Sequence, residues 1–206
     1  MTITKLTLGP IDVNCYILKY SENKAAIVDP GDKGEAIAAE LEKQGLVPEK
    51  ILLTHGHFDH MGAAAFLKEK YKIPLYISEK DNAMLNDREK SGAFLAPFLK
   101  FNPVTADGFL KEGDIIELGE SKLKVMETPG HSEGSVCFMG EDFIMAGDTI
   151  FNGSAGRTDL YSGNGQKLMQ SLKRLARLEK NYRLYCGHGG DTELETEKSF
   201  NPFLDI

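Results

Sequence analysis

Apolar and polar positions alternate along the first residues, Thr2-Ile3-Thr4-Lys5-Leu6-Thr7-Leu8, as they do in a strand with one buried face. The same reading places strands near 2–8, 13–19, 25–29 and 50–53, with a helix near 33–44. That helix has Asp32 as its expected N-cap, Glu35 three residues on, and Gly45 as its stop. Ile51-Leu52-Leu53 reads as a buried strand, and Met61 to Leu67 as a helix. A second group of strands is expected near 114–118, 122–127, 135–139 and 142–146. A helix near 165–179 and a strand near 182–186 follow; the helix carries the stripe Leu168, Leu172, Leu175 and Leu178 at helical spacing. The pattern is that of an α/β protein with two similar halves, each several strands followed by a helix. Residues 79–105 place Met84, Phe94, Phe98 and Phe101 among Gly92, Pro97 and Pro103. They read as a short helix and an apolar segment that serves either as core packing or as a flap over a substrate.

Composition narrows the class without changing that picture. At 206 residues, 41% hydrophobic and 27% charged, the chain suits one globular domain spanning 1–206. No run approaches the roughly eighteen apolar residues of a membrane span, and the N-terminus lacks the basic start and apolar core of a signal peptide, so a cytoplasmic location is expected. Cys15, Cys137 and Cys186 form no C-x-x-C pair and do not read as a disulfide framework. Cys186 either approaches His188 or packs as a small apolar strand residue. A net charge of −7 disfavours a nucleic-acid backbone as partner. Lys167, Lys173, Arg174, Arg177 and Lys180 are the solvated face of the 165–179 helix. The expected partner is a small molecule, with no nucleic acid and no membrane; the oligomeric state stays open.

The chemistry lies in the histidines. The chain has five, and all fall in one pattern: His55, His57 and His60 in T-H-G-H-F-D-H, His131 in P-G-H, and His188 in G-H-G. The run sits on a strand-to-helix loop, where His55 and His57 point one way and Asp59 and His60 face the same cavity from the helix entrance. Four ligands from so short a turn suit two ions side by side better than one. Imidazole nitrogen with carboxylate oxygen suits zinc, iron or manganese. Asp148, at the end of the apolar run Phe143 to Ala146, is either a turn cap or the carboxylate that bridges two ions.

H-G-H-F-D-H, P-G-H-S-E-G-S, G-D-T and C-G-H-G, in this order, resemble the metallo-beta-lactamase superfamily over nearly the whole chain. Gly156-Arg157-Thr158-Asp159 and the segment Glu197-Lys198 with Asn201-Pro202-Phe203 look most like the short glyoxalase II-type proteins, relatives of hydroxyacylglutathione hydrolase. The resemblance implies a four-layer αββα sandwich and two divalent metal ions, zinc foremost. It gives one ion to His55, His57 and His131, and the second to Asp59, His60 and His188, with Asp148 bridging. Asp29 in the D-P-G turn either orients a ligand or serves the turn alone.

The implied reaction is hydrolysis of a thioester, S-D-lactoylglutathione or a related hydroxyacylglutathione, by attack of a metal-bridging hydroxide. A thiolate, with a free-thiol pKa near ~8.5, departs without a proton, and the motifs offer no spare titratable group to protonate an amide nitrogen or alkoxide. Asp59 is the residue placed to take the nucleophile's proton. The longer glutathione thioesterases of the family hold the glutathione carboxylates with a basic C-terminal extension, which is not expected here. Arg157 is then either a substrate anchor or a surface arginine, with Tyr161 and Asn164 as weaker candidate contacts. The alternative is a mononuclear-iron persulfide dioxygenase acting on glutathione persulfide, since those enzymes share the H-x-H-x-D-H run and a G-R-T-D segment.

Overall fold

In strand β2 (Val13–Lys19), Cys15 and Ile17 point to one side and Tyr16 and Leu18 to the other, yet all four are buried. A strand apolar on both faces needs a layer on each side. The computed structural model describes residues 1–204 of the protein; Asp205 and Ile206, the end of the expected 1–206 domain, lie outside the described residues.

The first sheet contains β1 (Thr2–Leu8), β2, β3 (Lys24–Val28), β4 (Val47–Leu52), β5 (Leu75–Ser78) and β6 (Gly108–Leu110), side by side in chain order. The first three pair antiparallel, and β3 to β6 run parallel. The parallel connection from β3 to β4 passes through helix α1 (Gly34–Lys43), that from β4 to β5 through α2 (Phe58–Met61) and α3 (Ala64–Tyr71), and that from β5 to β6 through the 3-10 segments Glu79–Asn86 and Ala93–Leu95. The second sheet contains β7 (Ile115–Leu118), β8 (Ser121–Glu127), β9 (Val136–Met139) and β10 (Phe143–Gly147). A small hairpin follows, β11 (Ile150–Phe151) with β12 (Ser154–Ala155), then helix α4 (Gly165–Ala176). Strands β13 (Arg183–Cys186) and β14 (Thr192–Glu193) complete the second sheet in the order β14-β13-β10-β9-β8-β7, and α5 (Leu194–Phe200) ends the described fold.

Three apolar clusters fill the spaces between four layers. Ile17, Ile27 and Ile51 of the first sheet meet Ile37, Leu41 and Leu67 of α1 and α3. Their strand neighbours Leu18, Val28 and Leu52 turn the other way and meet Val125, Phe138 and Met145 of the second sheet. On that sheet's far face Cys137, Ile144 and Cys186 pack on Leu168, Leu172 and Leu175 of α4. The architecture is the expected αββα sandwich, and each strand's period of two assigns its side chains to layers. Among the described residues no helix is long and apolar enough to cross a membrane.

Several local expectations are corrected. Lys33, not Asp32, is the N-cap of α1; it sits in the left-handed region at φ 50°, and no side chain caps the helix. Asp32 instead accepts the Lys33 N–H at 2.6 Å, because the chain leaves the D-P-G turn too tightly for its carboxylate to reach the first helical turn. The helix expected from Met61 to Leu67 is broken at Gly62. A Cβ there would lie 2.2 Å from the Gly31 carbonyl oxygen, and one on Gly31 would lie 1.7 Å from that of Asp59. Helix α4 stops at Ala176 rather than 179. Within residues 79–105 the 3-10 stretch Glu79–Asn86 is core packing, with Met84 and Leu85 fully buried, whereas Phe98 is 72% exposed.

The contact between Gly62 and Gly31 ties α2 to the D-P-G turn, and Gly62→Ala should destabilise the protein by about 1–3 kcal/mol through overpacking against backbone. Urea denaturation measures it; an unchanged midpoint would show that the two segments are free to separate.

Candidate metal centre

The loops at one end of both sheets converge. After β4, Thr54 to His57 turns into α2, which carries Asp59 and His60; His131 lies between β8 and β9, Asp148 follows β10, and His188 follows β13. Backbone features aim these groups. The pairing of β10 with β13 shifts register between Met145 and Gly147, and Gly147 adopts φ 49°, which turns Asp148 inward. At Gly187 a Cβ would stand 2.1 Å from Asp148 Oδ1 and 2.6 Å from His60 Cε1, so a side chain before His188 would fill the site.

Ligand-type atoms gather in three overlapping groups, each within 4.8 Å: His55, His57 and His131; His55, His60 and Asp148; and Asp59, His60 and His188. In the first, His57 Nδ1 stands 2.8 Å and His55 Nε2 3.2 Å from His131 Nε2. In the third, His188 Nε2 is 3.2 Å from Asp59 Oδ2. Asp148 lies between the groups, with Oδ1 3.2 Å from His60 Nε2 and Oδ2 3.5 Å from His131 Nε2 and 3.7 Å from His188 Nε2. All seven residues expected from the sequence therefore meet in one cluster, and Asp148 occupies the position of a shared carboxylate.

The donor set fits cations. His60 Nε2 and Asp148 Oδ1 are buried, face each other, and make no hydrogen bond. Buried polar atoms left unpaired are costly unless something occupies the space between them. The outward nitrogens explain why lone pairs face inward. His131 Nδ1 donates to the Arg157 carbonyl at 2.8 Å, and His60 Nδ1 donates to Asp29 Oδ2 at 3.0 Å. Thr54 gives its hydroxyl proton to Asp29 Oδ2 at 2.7 Å and stands 3.0 Å from His55 Nδ1, whose N–H it accepts. Each of these partners fixes the tautomer that leaves Nε2 free to bind a metal.

Charge points the same way. Burial, reinforced by the neighbouring imidazoles, holds His55 far below the usual histidine range and His57 at about 3, so both rings are neutral. Burial opposes ionisation of Asp59 and Asp148, but His60 and His188 outweigh it and hold both carboxyls low. At His60 burial favours the neutral ring, yet Asp148, Asp29 and Asp59 drive its pKa well up. Two carboxylates at one buried space, with Asp29 behind His60, call for positive charge, which two dications would supply.

The cluster opens into a cavity of about 560 Å³, which Asp59, Asp148 and Arg157 help to line. Arg157 also forms a two-pronged pair with Asp159, at 2.7 Å for each contact. Tyr161 does not line the cavity: Leu160 takes the inward position, and Tyr161 is 45% exposed beneath Lys90. Asn164 caps α4, its Oδ1 accepting Lys167 N–H at 3.0 Å. Cys186 is buried among the apolar residues beside α4.

Asp81 is a residue that the sequence pattern did not single out. It is fully buried, and burial raises its pKa although three hydrogen bonds pull the other way. Its Oδ2 accepts Gly56 N–H at 3.0 Å and the Ser132 hydroxyl at 2.6 Å, and Oδ1 accepts Gly134 N–H at 2.8 Å. Gly56 separates His55 from His57, and Ser132 follows His131. One carboxylate thus clamps both loops of the three-histidine group, as Asp29 does behind His55 and His60.

The family profile described as Metallo-beta-lactamase superfamily matches residues 8–188. The probable metallo-hydrolase YqgX of Bacillus subtilis (strain 168) is 36% identical over 204 residues, 98% of this chain and 96% of that one. The hydroxyacylglutathione hydrolase GloC of Haemophilus influenzae is 32% identical over 215 residues, 100% of this chain and 99% of that one. Among solved structures, BLEG-1 B3 metallo-beta-lactamase superposes with a TM-score of 0.92 at 34% identity, covering 100% of both chains. TTHA1623 in a di-iron-bound form superposes with a TM-score of 0.86 at 36% identity, covering 98% of this chain and 100% of that one.

Asp81→Asn puts an amide donor where backbone and hydroxyl donors already point. Metal affinity at the three-histidine group should fall about ten- to a hundredfold, as when a ligand's supporting partner is lost. Chelator competition should show one of two release steps moving while the other stays; both moving together, or neither, would remove Asp81 from this role.

Proposed function

The chain belongs to the metallo-beta-lactamase superfamily, and from that premise we propose that it is a two-metal hydrolase that cleaves a thioester, with a hydroxyacylglutathione such as S-D-lactoylglutathione as the reference substrate. The observation that carries this reading is the inventory of the cavity. Its titratable lining residues are ligand candidates apart from Arg157, which cannot give up a proton at neutral pH. With no acid in the cavity apart from the ligand candidates themselves to protonate a leaving nitrogen or alkoxide, the bond that asks least of the site is one to sulfur, because a thiolate departs unprotonated. The name of the GloC relative and the di-iron form of TTHA1623 support the substrate class and the two-metal count.

His55, His57 and His131 would hold one ion, Asp59, His60 and His188 the other, and Asp148 both. Bound there, two dications supply Lewis acidity toward a carbonyl oxygen and acidify a water toward ~7. Asp59 faces the cavity and takes the proton that the attacking water loses. The water oxygen adds to the thioester carbonyl carbon, the carbon–sulfur bond breaks with its electron pair leaving on sulfur, and thiolate plus carboxylic acid result. Asp29 and Thr54 keep His55 and His60 aimed throughout, so the site is preorganised rather than assembled on the substrate.

Metal content by mass spectrometry, alongside thiol release from S-D-lactoylglutathione, tests this reading. Near two metals per chain with thiol release is expected. One iron per chain with oxygen uptake on glutathione persulfide would replace the hydrolase by a persulfide dioxygenase, and turnover of a β-lactam without any thioester would replace the substrate class. Asp148→Asn should lose metal and activity together; full activity with two metals retained in that variant would overturn the bridging role.

A further inference from the structure

The wall of the cavity facing the metal ligands is apolar. Leu95, Ala96 and Phe98 come from the segment after the Glu79–Asn86 stretch, Phe151 from β11, Leu160 from the loop before α4, and Ile11 from the turn between β1 and β2. Phe98 is 72% exposed and Leu95 49%, so these side chains stand in solvent at the mouth rather than in the core. Exposed apolar groups clustered at the rim of a reactive site are stabilised when a ligand covers them. The segment bearing them is anchored: Phe58 N–H donates to the Ser91 carbonyl at 3.1 Å, and Ser91 is fully buried.

Charge is scarce on this wall. Outside the ligand set, the polar lining residues are Ser91, Ser154 and Arg157. Arg157 is already paired with Asp159 in a two-pronged contact. Lys90 lies over Tyr161 and 3.6 Å from Asp87, and Lys100 lines not this wall but an adjoining cavity of about 120 Å³ that meets it at Ile11, Phe58 and Asp59. A glutathione moiety carries two carboxylates and an ammonium, and would meet one committed guanidinium here.

We propose that the substrate is a thioester with an apolar acyl chain of several carbons, packed on Leu95, Phe98, Phe151 and Leu160 while its carbonyl lies at the metal ligands. This rests on the thioester reading above and refines its substrate: burial of the chain, not ion pairing to glutathione, selects it. The chemistry is unchanged, with water adding to the carbonyl carbon and the thiol leaving.

The test compares S-hexanoyl and S-acetyl N-acetylcysteamine, which share a neutral thiol, with S-D-lactoylglutathione on the metal-loaded protein. The hexanoyl ester should exceed the acetyl ester by about tenfold or more in kcat/KM, as expected for four added methylenes partly buried, and should exceed lactoylglutathione as well. Phe98→Ala and Leu95→Ala, both at exposed positions that spare the core, should each reduce the hexanoyl-to-acetyl ratio several-fold. A lactoylglutathione rate at or above the hexanoyl rate, or a ratio near one, would overturn the inference while leaving the thioesterase reading intact. If no thioester is cleaved, the reaction reading falls, and calorimetry with non-hydrolysable S-hexyl and S-ethyl thioethers decides this point separately. Tighter S-hexyl binding, weakened several-fold by Phe98→Ala, upholds the apolar site, and equal binding of the two thioethers dismisses it.

Discussion

The carboxylate of Asp29 holds the site together. It accepts the Thr54 N–H at 2.8 Å, the Thr54 hydroxyl at 2.7 Å and His60 Nδ1 at 3.0 Å, and is almost wholly buried while doing so. Through these bonds the end of β3, the end of β4 and α2 are fixed to one another. Its backbone sits at φ 49°, a left-handed conformation uncommon for a residue with a side chain, and the interactions of its carboxylate offset that strain. The short α2 has only one turn of its own hydrogen bonds, so its position depends on Asp29 and on the glycine contact at Gly31 and Gly62 rather than on helical propensity.

Asp81 repeats the device across the loops that carry His55, His57 and His131. Both carboxylates are buried, both bind backbone N–H as well as side chains, and each spans two chain segments. A ligand whose supporting partner is a buried anion stays aimed without help from the metal, which is what a hydrolase needs if its metals are to act without reorganising the protein around each substrate. The cavity mouth follows a different rule. The segment that carries Phe98 and Leu95 is anchored on either side of them, and both leave apolar surface in solvent. In the proposed reaction the rigid part of the site would meet the carbonyl, and the apolar rim would set which molecule arrives.

Much of this was legible in the chain. Strands such as β2 and β10 are apolar on consecutive positions because both faces are covered, and their run lengths locate them. The seven clustered residues were legible because histidine is absent elsewhere and the loops that carry them follow recognisable strand ends. What escaped was short or non-local. Strands β5 and β6 are four and three residues long, below the length at which periodicity separates a strand from a loop. The N-cap of α1 was misplaced because the local sequence offers Asp32, whereas the turn geometry selects Lys33. Asp81 lies 25 residues from Gly56 and 53 from Gly134, and its neighbours read as an ordinary helix start, so only the fold reveals its role. Tyr161 was one position away from the residue that faces the cavity.

The ligands are also divided between the two sheets, and this has an energetic consequence. His55, His57, Asp59 and His60 come from the first half, and His131, Asp148 and His188 from the second. The halves are already joined at this end by polar bonds: Val136 N–H to the Thr54 carbonyl at 2.9 Å, Asn14 N–H to that of Gly187 at 2.7 Å, and the Tyr16 hydroxyl to that of Cys186 at 2.6 Å. Each metal set draws on both halves, so a bound ion would favour the packed sandwich over any state in which the sheets separate. That contribution grows as RT ln(1 + [metal]/Kd). Stability of the inter-sheet core around Leu18, Val28 and Phe138 is therefore linked to occupancy of a site at its edge. The constraint would run in both directions: the core that brings these seven residues into one cluster would be strengthened by an ion that they hold.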